Sequence, residues 1–158
     1  MTPAIQALKK TKTPFQAHEY RHDPRAESYG LEAAAALGAP PEQVFKTLVT
    51  KLDTKELVVA ILPVHKSLDL KALAGAAGAK KADLADVTEA ERTTGYVKGG
   101  ISPLGQRKKL RTVIDESVET LDRMFVSGGR RGLDIELRPA DLTRLCNAVT
   151  AAISKSVS

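Results

Sequence analysis

Three short segments of this chain carry residue types that could do chemistry together. The first segment, Val44 to Leu48, places an amine and a hydroxyl, those of Lys46 and Thr47, at the head of an apolar strand. A partly buried ammonium is costly unless a polar group faces it. Lys46 is therefore a candidate for contacting a polar substrate, and the alternative is an edge-strand lysine that faces water.

The second segment is a glycine turn, Lys98-Gly-Gly-Ile-Ser-Pro103. The paired glycines Gly99 and Gly100 permit positive φ and a close approach of the backbone to another group. Main-chain N–H groups exposed in such a turn can bind a carbonyl oxygen or a phosphate. A plain turn or a β-bulge is the alternative.

The third segment, Val126 to Glu136, is a second glycine turn, bracketed by Ser127 and Asp134. In the strand that follows this turn, alternation puts Leu133, Ile135 and Leu137 on one face and Asp134 and Glu136 on the other. The alternative is an ordinary hairpin with a solvated acidic face. Two glycine turns, each beside a hydroxyl and cations, in one small chain favour a shared site.

Standard catalytic groups are not evident in the sequence. Cys146 falls in the apolar stripe of the predicted last helix, which indicates a buried structural thiol rather than a nucleophile. His18, His22 and His65 lack metal-ligand spacing, and no phosphate-binding or dinucleotide fingerprint is present. We therefore expect no metal and no cofactor, and an enzyme here would work without an obvious base.

The bulk composition favours one globular domain with anionic partners. The 158 residues carry 24 Lys and Arg against 19 Asp and Glu, a net charge of +5. The cations cluster beside the glycine turns, and each cluster alone could equally be solvated surface charge. A single cysteine fits a reducing, cytoplasmic compartment, and we expect neither export nor membrane insertion because the sequence has no signal-peptide run or membrane-spanning stretch.

The hydrophobic pattern alternates strands with helices. It predicts helices from Pro3 to Lys12, Leu31 to Leu37 and Leu68 to Ala77, one from Thr88 with a capping box, and one from Pro139 with Leu142, Leu145, Val149 and Ala152 at helical spacing. It predicts strands at Phe15 to Tyr20, Lys46 to Leu52, Glu56 to Leu62, Thr112 to Asp115, Met124 to Ser127 and Leu133 to Leu137. We expect one α/β (α+β) domain over residues 1–153 with a mixed, strongly curved or closed sheet, followed by a flexible tail over residues 154–158.

Taken together, the three segments resemble the bacterial YbaK family. The resemblance rests on Phe45-Lys-Thr-Leu48, on Thr94-Gly-Tyr-Val-Lys-Gly-Gly-Ile-Ser-Pro-Leu-Gly-Gln106 and on Val126-Ser-Gly-Gly-Arg-Arg-Gly-Leu-Asp-Ile-Glu-Leu137, and it covers nearly the whole chain. YbaK proteins are free-standing editing enzymes that deacylate Cys-tRNA(Pro). The two long motifs point to the branch of the family that acts on cysteine. The wider superfamily also includes the editing domain of prolyl-tRNA synthetases and the Ala-tRNA(Pro) deacylases.

The resemblance implies a mixed, barrel-like β-sheet ringed by helices, and it assigns roles to particular residues. The family's essential amine falls on Lys46. The implied catalytic group also includes Gly99, Gly100, Ser127 and Asp134, and the implied substrate contacts are Tyr20, Thr47, Ile101 and Ser102. The implied tRNA contacts are Lys98, Arg107, Lys108, Lys109 and Arg130.

The resemblance also explains the missing nucleophile. In the implied mechanism the thiol of the mischarged cysteine attacks its own ester carbonyl, releases the tRNA and leaves a cyclic thiolactone. The microscopic hypothesis assigns Lys46 to the terminal adenosine or ester oxygen, the amides of Gly99 and Gly100 to the carbonyl, and Ser127 with Asp134 to the amine and thiol.

The implied partners are the tRNA acceptor stem and, transiently, prolyl-tRNA synthetase. Three alternatives remain open at this point: a non-catalytic RNA-binding module, an Ala-tRNA(Pro) deacylase, and a hydrolase of a small phosphorylated metabolite.

Overall fold

Strands and helices alternate along the chain in the computed structural model, which describes residues 1–26 and 28–157. The strands are β1 (Gln16–Glu19), β2 (Phe45–Leu52), β3 (Leu57–Pro63), β4 (Lys66–Leu68), β5 (Ala82–Leu84), β6 (Arg111–Asp115), β7 (Met124–Arg130), β8 (Leu133–Leu137), β9 (Val149–Ala151) and β10 (Ser154–Ser156). The α-helices are α1 (Pro3–Lys10), α2 (Tyr29–Leu37), α3 (Leu70–Ala76), α4 (Val87–Thr94) and α5 (Pro139–Cys146), and short 3-10 helices span Pro41–Gln43 and Glu116–Thr120.

The larger sheet has five strands in the order β5-β2-β3-β6-β9. Strand β3 is antiparallel to β2 and parallel to β6, and β6 is parallel to β9, so the sheet is mixed as expected. All residues of β3 after Leu57 are buried. The prediction that this continuous apolar run forms the centre of the sheet is confirmed.

A three-stranded antiparallel sheet, in the order β1-β8-β7, lies beside the larger one. A β-bulge in β7 shifts the register between Ser127 and Arg130. An isolated parallel bridge between Val44 and Phe125 links the two sheets. The mixed α/β architecture is therefore confirmed, but the described strands form separate sheets rather than a closed barrel.

Most helices begin at a side chain that caps the first turn. The hydroxyls of Thr2 and Ser28 cap α1 and α2, and the carboxylates of Asp69 and Asp86 cap α3 and α4. The capping box predicted at Thr88 is wrong, because α4 begins one residue earlier, at Val87, with Asp86 as its cap. Asp86 prevails because its carboxylate accepts from the free amide of Glu89.

The core has three clusters that fix the layers. The largest lies between the two sheets and includes residues of α1 and α5, and the second lies under α3 on the far face of the five-stranded sheet. The third joins α2 to Val44, Val64 and Phe125. Helix α2 therefore covers the face of β7 that carries Phe125.

The C-terminal region departs from the sequence pattern. Helix α5 ends at Cys146, where Asn147 adopts a left-handed conformation with φ of 49°. Val149, expected in the helix, begins β9, and Ala152 follows that strand. Parallel pairing with β6, which is distant in sequence, replaces the last helical turns.

Part of the expected tail is paired in a strand. Ser154–Ser156 form β10, antiparallel to β4, with Ser154 opposite Leu68. Buried Ile153 anchors this segment, because its amide donates to the Asp115 carboxylate at 3.1 Å. Ser158, the last residue of the expected tail, lies outside the described residues.

Candidate functional site

A cavity of about 370 Å³ opens where strand pairing along β2 is interrupted. Strand β5 pairs with β2 only over residues 50–52, and the bridge to β7 lies at Val44. The edge of β2 between these points therefore faces the cavity.

The hydrogen-bond pattern of β2 shows which backbone groups face this gap. The carbonyl of Val44 accepts from Val64 and the amide of Leu52 donates to Glu56, so even-numbered residues of β2 bond to β3. Odd-numbered residues bond in the opposite direction, and the carbonyl of Val49 accepts from Ala85. The main-chain N–H and C=O of Thr47 are therefore directed toward the cavity.

The side chain of Thr47 has an unsatisfied polar atom. Its Oγ1 is buried and has no hydrogen-bond partner among the described residues. A buried hydroxyl without a partner is unfavourable, so a polar group of a bound ligand would stabilise it. Thr47 thus offers a ligand a hydroxyl as well as main-chain donor and acceptor groups.

Lys46 lines the same cavity and is half-buried. Burial lowers the pKa of its ammonium, and within the described residues no carboxylate comes within ion-pair distance of it. A desolvated cation without an ion pair can bind an anionic or strongly polar ligand oxygen.

Ser127 and Asp134 are direct cross-strand partners in β7 and β8, so their side chains lie on one face of the sheet. Both line the cavity. Asp134 is only 5% exposed, and burial raises its pKa to about 7. A carboxyl group that titrates near neutral pH can accept and return a proton.

The first glycine turn forms another wall through Gly99, which has φ of 92°. A Cβ at Gly99 would lie 3.1 Å from the ring of Tyr29. Glu91 of α4 holds the turn, because its Oε2 accepts from the amide of Lys98 at 2.7 Å. Close packing and positive φ thus explain why glycine stands at position 99.

Gly100 differs from Gly99 in a way that corrects the hypothesis for its amide. Its N–H donates to the carbonyl of Val97 at 2.9 Å, so it is not free for a substrate oxygen. A Cβ at Gly100 would approach the Cα of Arg130 to 2.6 Å. Gly100 therefore lets the two glycine turns pack together.

Of the three remaining expected substrate contacts, two line the cavity and one does not. Tyr20 and Ile101 line the cavity, and the pKa of Tyr20 is raised by burial and by the nearby Asp134. Ser102 is fully buried outside the cavity lining, where its Oγ accepts from the amide of Leu104. Ser102 thus holds the loop after the turn instead of facing a ligand.

The expected tRNA contacts also fall into two groups. Lys98 and Arg130 line the cavity, and Arg130 forms an exposed ion pair with Glu19 at 3.1 Å. Arg107, Lys108 and Lys109 are exposed but lie outside the lining. The amides of Arg107 and Lys108 bond to the end of α4, and Lys109 borders a different cavity beside Cys146.

Several lining residues of α2 and α4 carry no signal in the sequence that predicts their place in the site. Tyr29 lies on Gly99 on one side, and the Arg131 guanidinium sits 4.2 Å from its ring centroid. Arg131 also pairs with Glu32 at 3.3 Å, which fixes α2 over the second glycine turn. Glu91 is the acidic residue of the capping box predicted at Thr88, and nothing in the local sequence indicates that it faces a cavity.

The other candidate groups behave as structural residues. Cys146 is buried, its thiol donates to the carbonyl of Pro103, and burial raises its pKa to about 12. His18 bonds to Glu136 at 2.9 Å. No cluster of three potential metal ligands occurs within residues 1–26 and 28–157, and none of the helices described there has the length and apolarity to span a membrane.

Comparisons with known proteins identify a family for this chain. Residues 23–145 match the model of the aminoacyl-tRNA editing domain family. The Enterococcus faecalis protein named "Putative Cys-tRNA(Pro)/Cys-tRNA(Cys) deacylase EbsC" is 36% identical over 154 residues, which cover 97% of this chain and 93% of EbsC. The Escherichia coli K12 protein named "Multifunctional Ser/Thr-tRNA deacylase ProXp-y" is 33% identical over 89% of this chain and 84% of its own length.

The fold of this chain matches that of a solved structure, and its sequence matches a part of a larger enzyme. A crystal structure of "a putative trans-editing enzyme for prolyl tRNA synthetase" superposes with a TM-score of 0.86 at 23% identity, covering 98% of this chain and 96% of that one. A segment of the proline–tRNA ligase of Desulforamulus reducens is 33% identical over 63% of this chain, and the match covers 17% of the ligase. Relatives of this domain thus occur both free-standing and inside a synthetase.

The family match covers most of the chain, and it includes Lys46, Gly99, Ser127 and Asp134. The family expectation drawn from the three sequence segments is therefore confirmed. The chain belongs to the aminoacyl-tRNA editing domain family, whose members include aminoacyl-tRNA deacylases.

Proposed function

We propose that this protein acts in trans to remove cysteine from mischarged Cys-tRNA(Pro). The observation that carries the proposal is the convergence of the Lys46 amine, the Thr47 edge, the Gly99 turn and the Ser127–Asp134 pair on one cavity. The described lining contains no cysteine or histidine that could serve as nucleophile or base. A substrate that carries its own thiol suits such a site, and the name of EbsC supports cysteine as that substrate.

In the proposed reaction the cysteinyl thiol gives its proton to the Asp134 carboxylate, and its sulfur bonds to the ester carbonyl carbon. The bond from that carbon to the ribose oxygen then breaks, and the ribose oxygen takes up the proton. The products are deacylated tRNA and a cysteine thiolactone, which water later opens to cysteine. Correctly oriented intramolecular attack can reach effective molarities of about 10⁵ to 10⁸ M.

The protein contributes orientation and charge to this reaction. Lys46 donates to the ester or ribose oxygen, and the Gly99 amide donates to the carbonyl oxygen as negative charge develops on it. Thr47 contributes main-chain groups along the open edge of β2. Ser127 lies beside Asp134 and contacts the thiol side of the substrate. Gly100 supports the turn and makes no substrate contact.

The tRNA would enter over a rim that is both apolar and basic. Leu84 and Val87 line the cavity and are 59% and 46% exposed, and Val97, next to Lys98, is 73% exposed. Apolar side chains suit the terminal nucleobase, and Lys98 and Arg130 suit phosphates. We assign the terminal adenosine to this rim and the acceptor stem to the more distant cations Arg107, Lys108 and Lys109.

We expect the identity of tRNA(Pro) to be read by a partner, because a small basic domain binds nucleic acid with little discrimination. Prolyl-tRNA synthetase in a transient complex is the proposed partner, and the homologous segment within proline–tRNA ligases supports this choice. The proposed place of action is the cytoplasm, with the translation machinery.

A second candidate function has its own support. ProXp-y is named a Ser/Thr-tRNA deacylase, and serine and threonine carry a hydroxyl where cysteine carries a thiol. A hydroxyl is a much weaker nucleophile, so these substrates would require attack by water. An Ala-tRNA(Pro) deacylase or a non-catalytic RNA-binding module would use this cavity in other ways.

One assay separates these functions: release of amino acid from Cys-, Ala- and Pro-tRNA(Pro) and from Ser- and Thr-tRNA, with early products analysed by mass spectrometry. The proposal expects fast release from Cys-tRNA(Pro), detectable thiolactone and slow release from Ser-tRNA. Lys46→Ala should abolish most of this activity. Full activity of that variant at saturating Cys-tRNA(Pro) would refute the role of Lys46, and faster release from Ser- or Thr-tRNA would favour the second candidate.

A further inference from the structure

Glu91 is a cavity-lining carboxylate that the reaction described above leaves without a role. It lies on α4, and it lines the cavity together with Asp134, the other acidic residue of the described lining. Its Oε2 accepts from the amide of Lys98 at 2.7 Å. Within the described residues Glu91 forms no ion pair, and its carboxylate accepts only from that amide, so it has capacity for a further donor.

The position of Glu91 relative to the glycine turn limits what that ligand group can be. Lys98, whose amide Glu91 holds, immediately precedes Gly99, so the carboxylate lies next to the amide assigned to the ester carbonyl. In an aminoacyl ester the α-nitrogen is separated from the carbonyl oxygen by three bonds and lies at most about 4 Å from it. An ester bound at Gly99 can therefore place its α-amine close to Glu91.

The charges of the site agree with this placement. An α-ammonium carries three N–H donors and a positive charge, and a carboxylate is the strongest acceptor for it. The cations of the lining, Lys46, Lys98 and Arg130, would repel an ammonium. Asp134 is a poorer partner, because an ammonium beside it would lower its pKa and weaken its affinity for the thiol proton.

We propose that Glu91 binds the free α-amino group of the aminoacyl moiety and thereby selects aminoacyl esters over those whose amine is blocked, such as peptidyl or formylated esters. The inference rests on the proposed function, since it takes an aminoacylated tRNA end as the ligand. Amine binding by Glu91 would keep the enzyme from deacylating tRNAs whose aminoacyl group has a blocked amine.

The variants are chosen to separate amine binding from support of the turn. Glu91→Gln keeps an oxygen that can accept from the Lys98 amide but loses the negative charge. Glu89→Gln is the matched control, because Glu89 lies on the same helix, pairs with Lys51 at 3.1 Å and is outside the cavity lining. Thermal unfolding of each variant reports any loss of fold.

The measurement is binding of a stable amide analogue, 3′-deoxy-3′-(cysteinylamido)adenosine, by calorimetry, with its N-acetyl derivative as the blocked ligand. We expect wild type and Glu89→Gln to bind the free-amine analogue at least about 10-fold more tightly than the blocked one, as for a charged hydrogen bond. In Glu91→Gln the affinities for the two analogues should differ by no more than about 2-fold, because only the free-amine analogue binds more weakly.

Each outcome decides the inference. A wild-type ratio near one, no binding of either analogue, or an unchanged ratio in Glu91→Gln overturns the amine-binding role. Amine discrimination that depends on Glu91, in a protein that deacylates none of the tested aminoacyl-tRNAs, supports this inference while refuting the proposed function. Parallel kinetics with Cys-tRNA(Pro) and N-acetyl-Cys-tRNA(Pro) should show the same loss of discrimination.

Discussion

Asp115 and Asp134 are two buried carboxylates with opposite electrostatics. They are 3% and 5% exposed, respectively. Burial alone would raise the pKa of Asp115, but hydrogen bonds from Ser117, Ile153 and Ser154 hold it below its ordinary value. Burial raises the pKa of Asp134 to about 7 without such compensation.

The difference separates a structural acid from the proposed proton acceptor of the reaction. Asp115 ends β6 and ties down the C-terminal segment, so its charge is stabilised by fixed backbone donors. Asp134 faces the cavity, and its raised pKa reflects burial without a compensating hydrogen bond from the described residues. A site that leaves a carboxylate unsatisfied loses stability but gains a proton acceptor near neutral pH.

The largest expected effect is on the activity of Asp134→Asn. Loss of the proton acceptor should lower kcat for Cys-tRNA(Pro) by about 10² to 10⁴-fold, as for general bases elsewhere. In the wild-type protein kcat should rise with pH through about 7, where Asp134 loses its proton, and the variant should lack this rise. A pH–rate profile of both proteins measures this, and an unchanged inflection in the variant would show that another group is titrating.

The same substitution should stabilise the fold in a pH-dependent way. The folded-state pKa of about 7 exceeds the unfolded value of 3.8, so between these pH values the folded protein holds a proton that the unfolded chain has lost. Stability should therefore fall as pH rises from about 4 to about 7. Relative to wild type, Asp134→Asn should gain little at pH 4 and up to about 4 kcal/mol at pH 8. Urea unfolding at both pH values tests this, and a variant less stable than wild type at pH 8 would contradict it.

Asp115→Ala should behave in the opposite manner. It leaves the buried amide of Ile153 and its neighbours without an acceptor, and we expect a loss of about 2 to 3 kcal/mol near pH 7. Because the folded pKa of Asp115 is depressed, its contribution is present above the unfolded pKa and is lost as pH falls through the folded pKa. The difference from wild type should thus shrink in acid.

Urea unfolding measures the loss in Asp115→Ala, and deacylation per folded molecule should stay within about 2-fold of wild type, since Asp115 lies outside the cavity. Asp115→Asn is the matched control, because its amide oxygen can still accept from the backbone. A loss of activity in Asp115→Ala at full folding would break the distinction between the two acids.

The smallest effect is expected for exposed charges away from both acids. Arg107→Glu with Lys108→Glu should raise KM for Cys-tRNA(Pro) by a few-fold, more than it lowers kcat, and should weaken the salt dependence of KM. Steady-state kinetics at two salt concentrations measures this, with Lys80→Glu and Lys81→Glu as a control at another exposed pair outside the cavity lining. An equal rise in KM for the control would show only the effect of net charge.

Much of the site could be predicted from local sequence because its parts are local. The two glycine turns and the strand around Lys46 are contiguous segments whose residue types limit their conformation. Gly100 and Ser102 were misassigned within a correctly identified turn, because hydrogen bonds to Val97 and Leu104 decide which groups remain free. Glu91 was missed as a cavity residue because it belongs to a different element, α4.

The sequence by itself determined the buried strand β3, the glycine turns and the family, because each depends on contiguous residue types. Only the tertiary structure decided that Val149 joins a strand instead of a helix and that Ser154 pairs with Leu68. Only the tertiary structure, likewise, stabilised the charge of one aspartate with hydrogen bonds and raised the pKa of the other by burial. The physical reason is that the pKa of a buried carboxyl depends on donors from segments distant in sequence, and alternation along one strand carries no information about them.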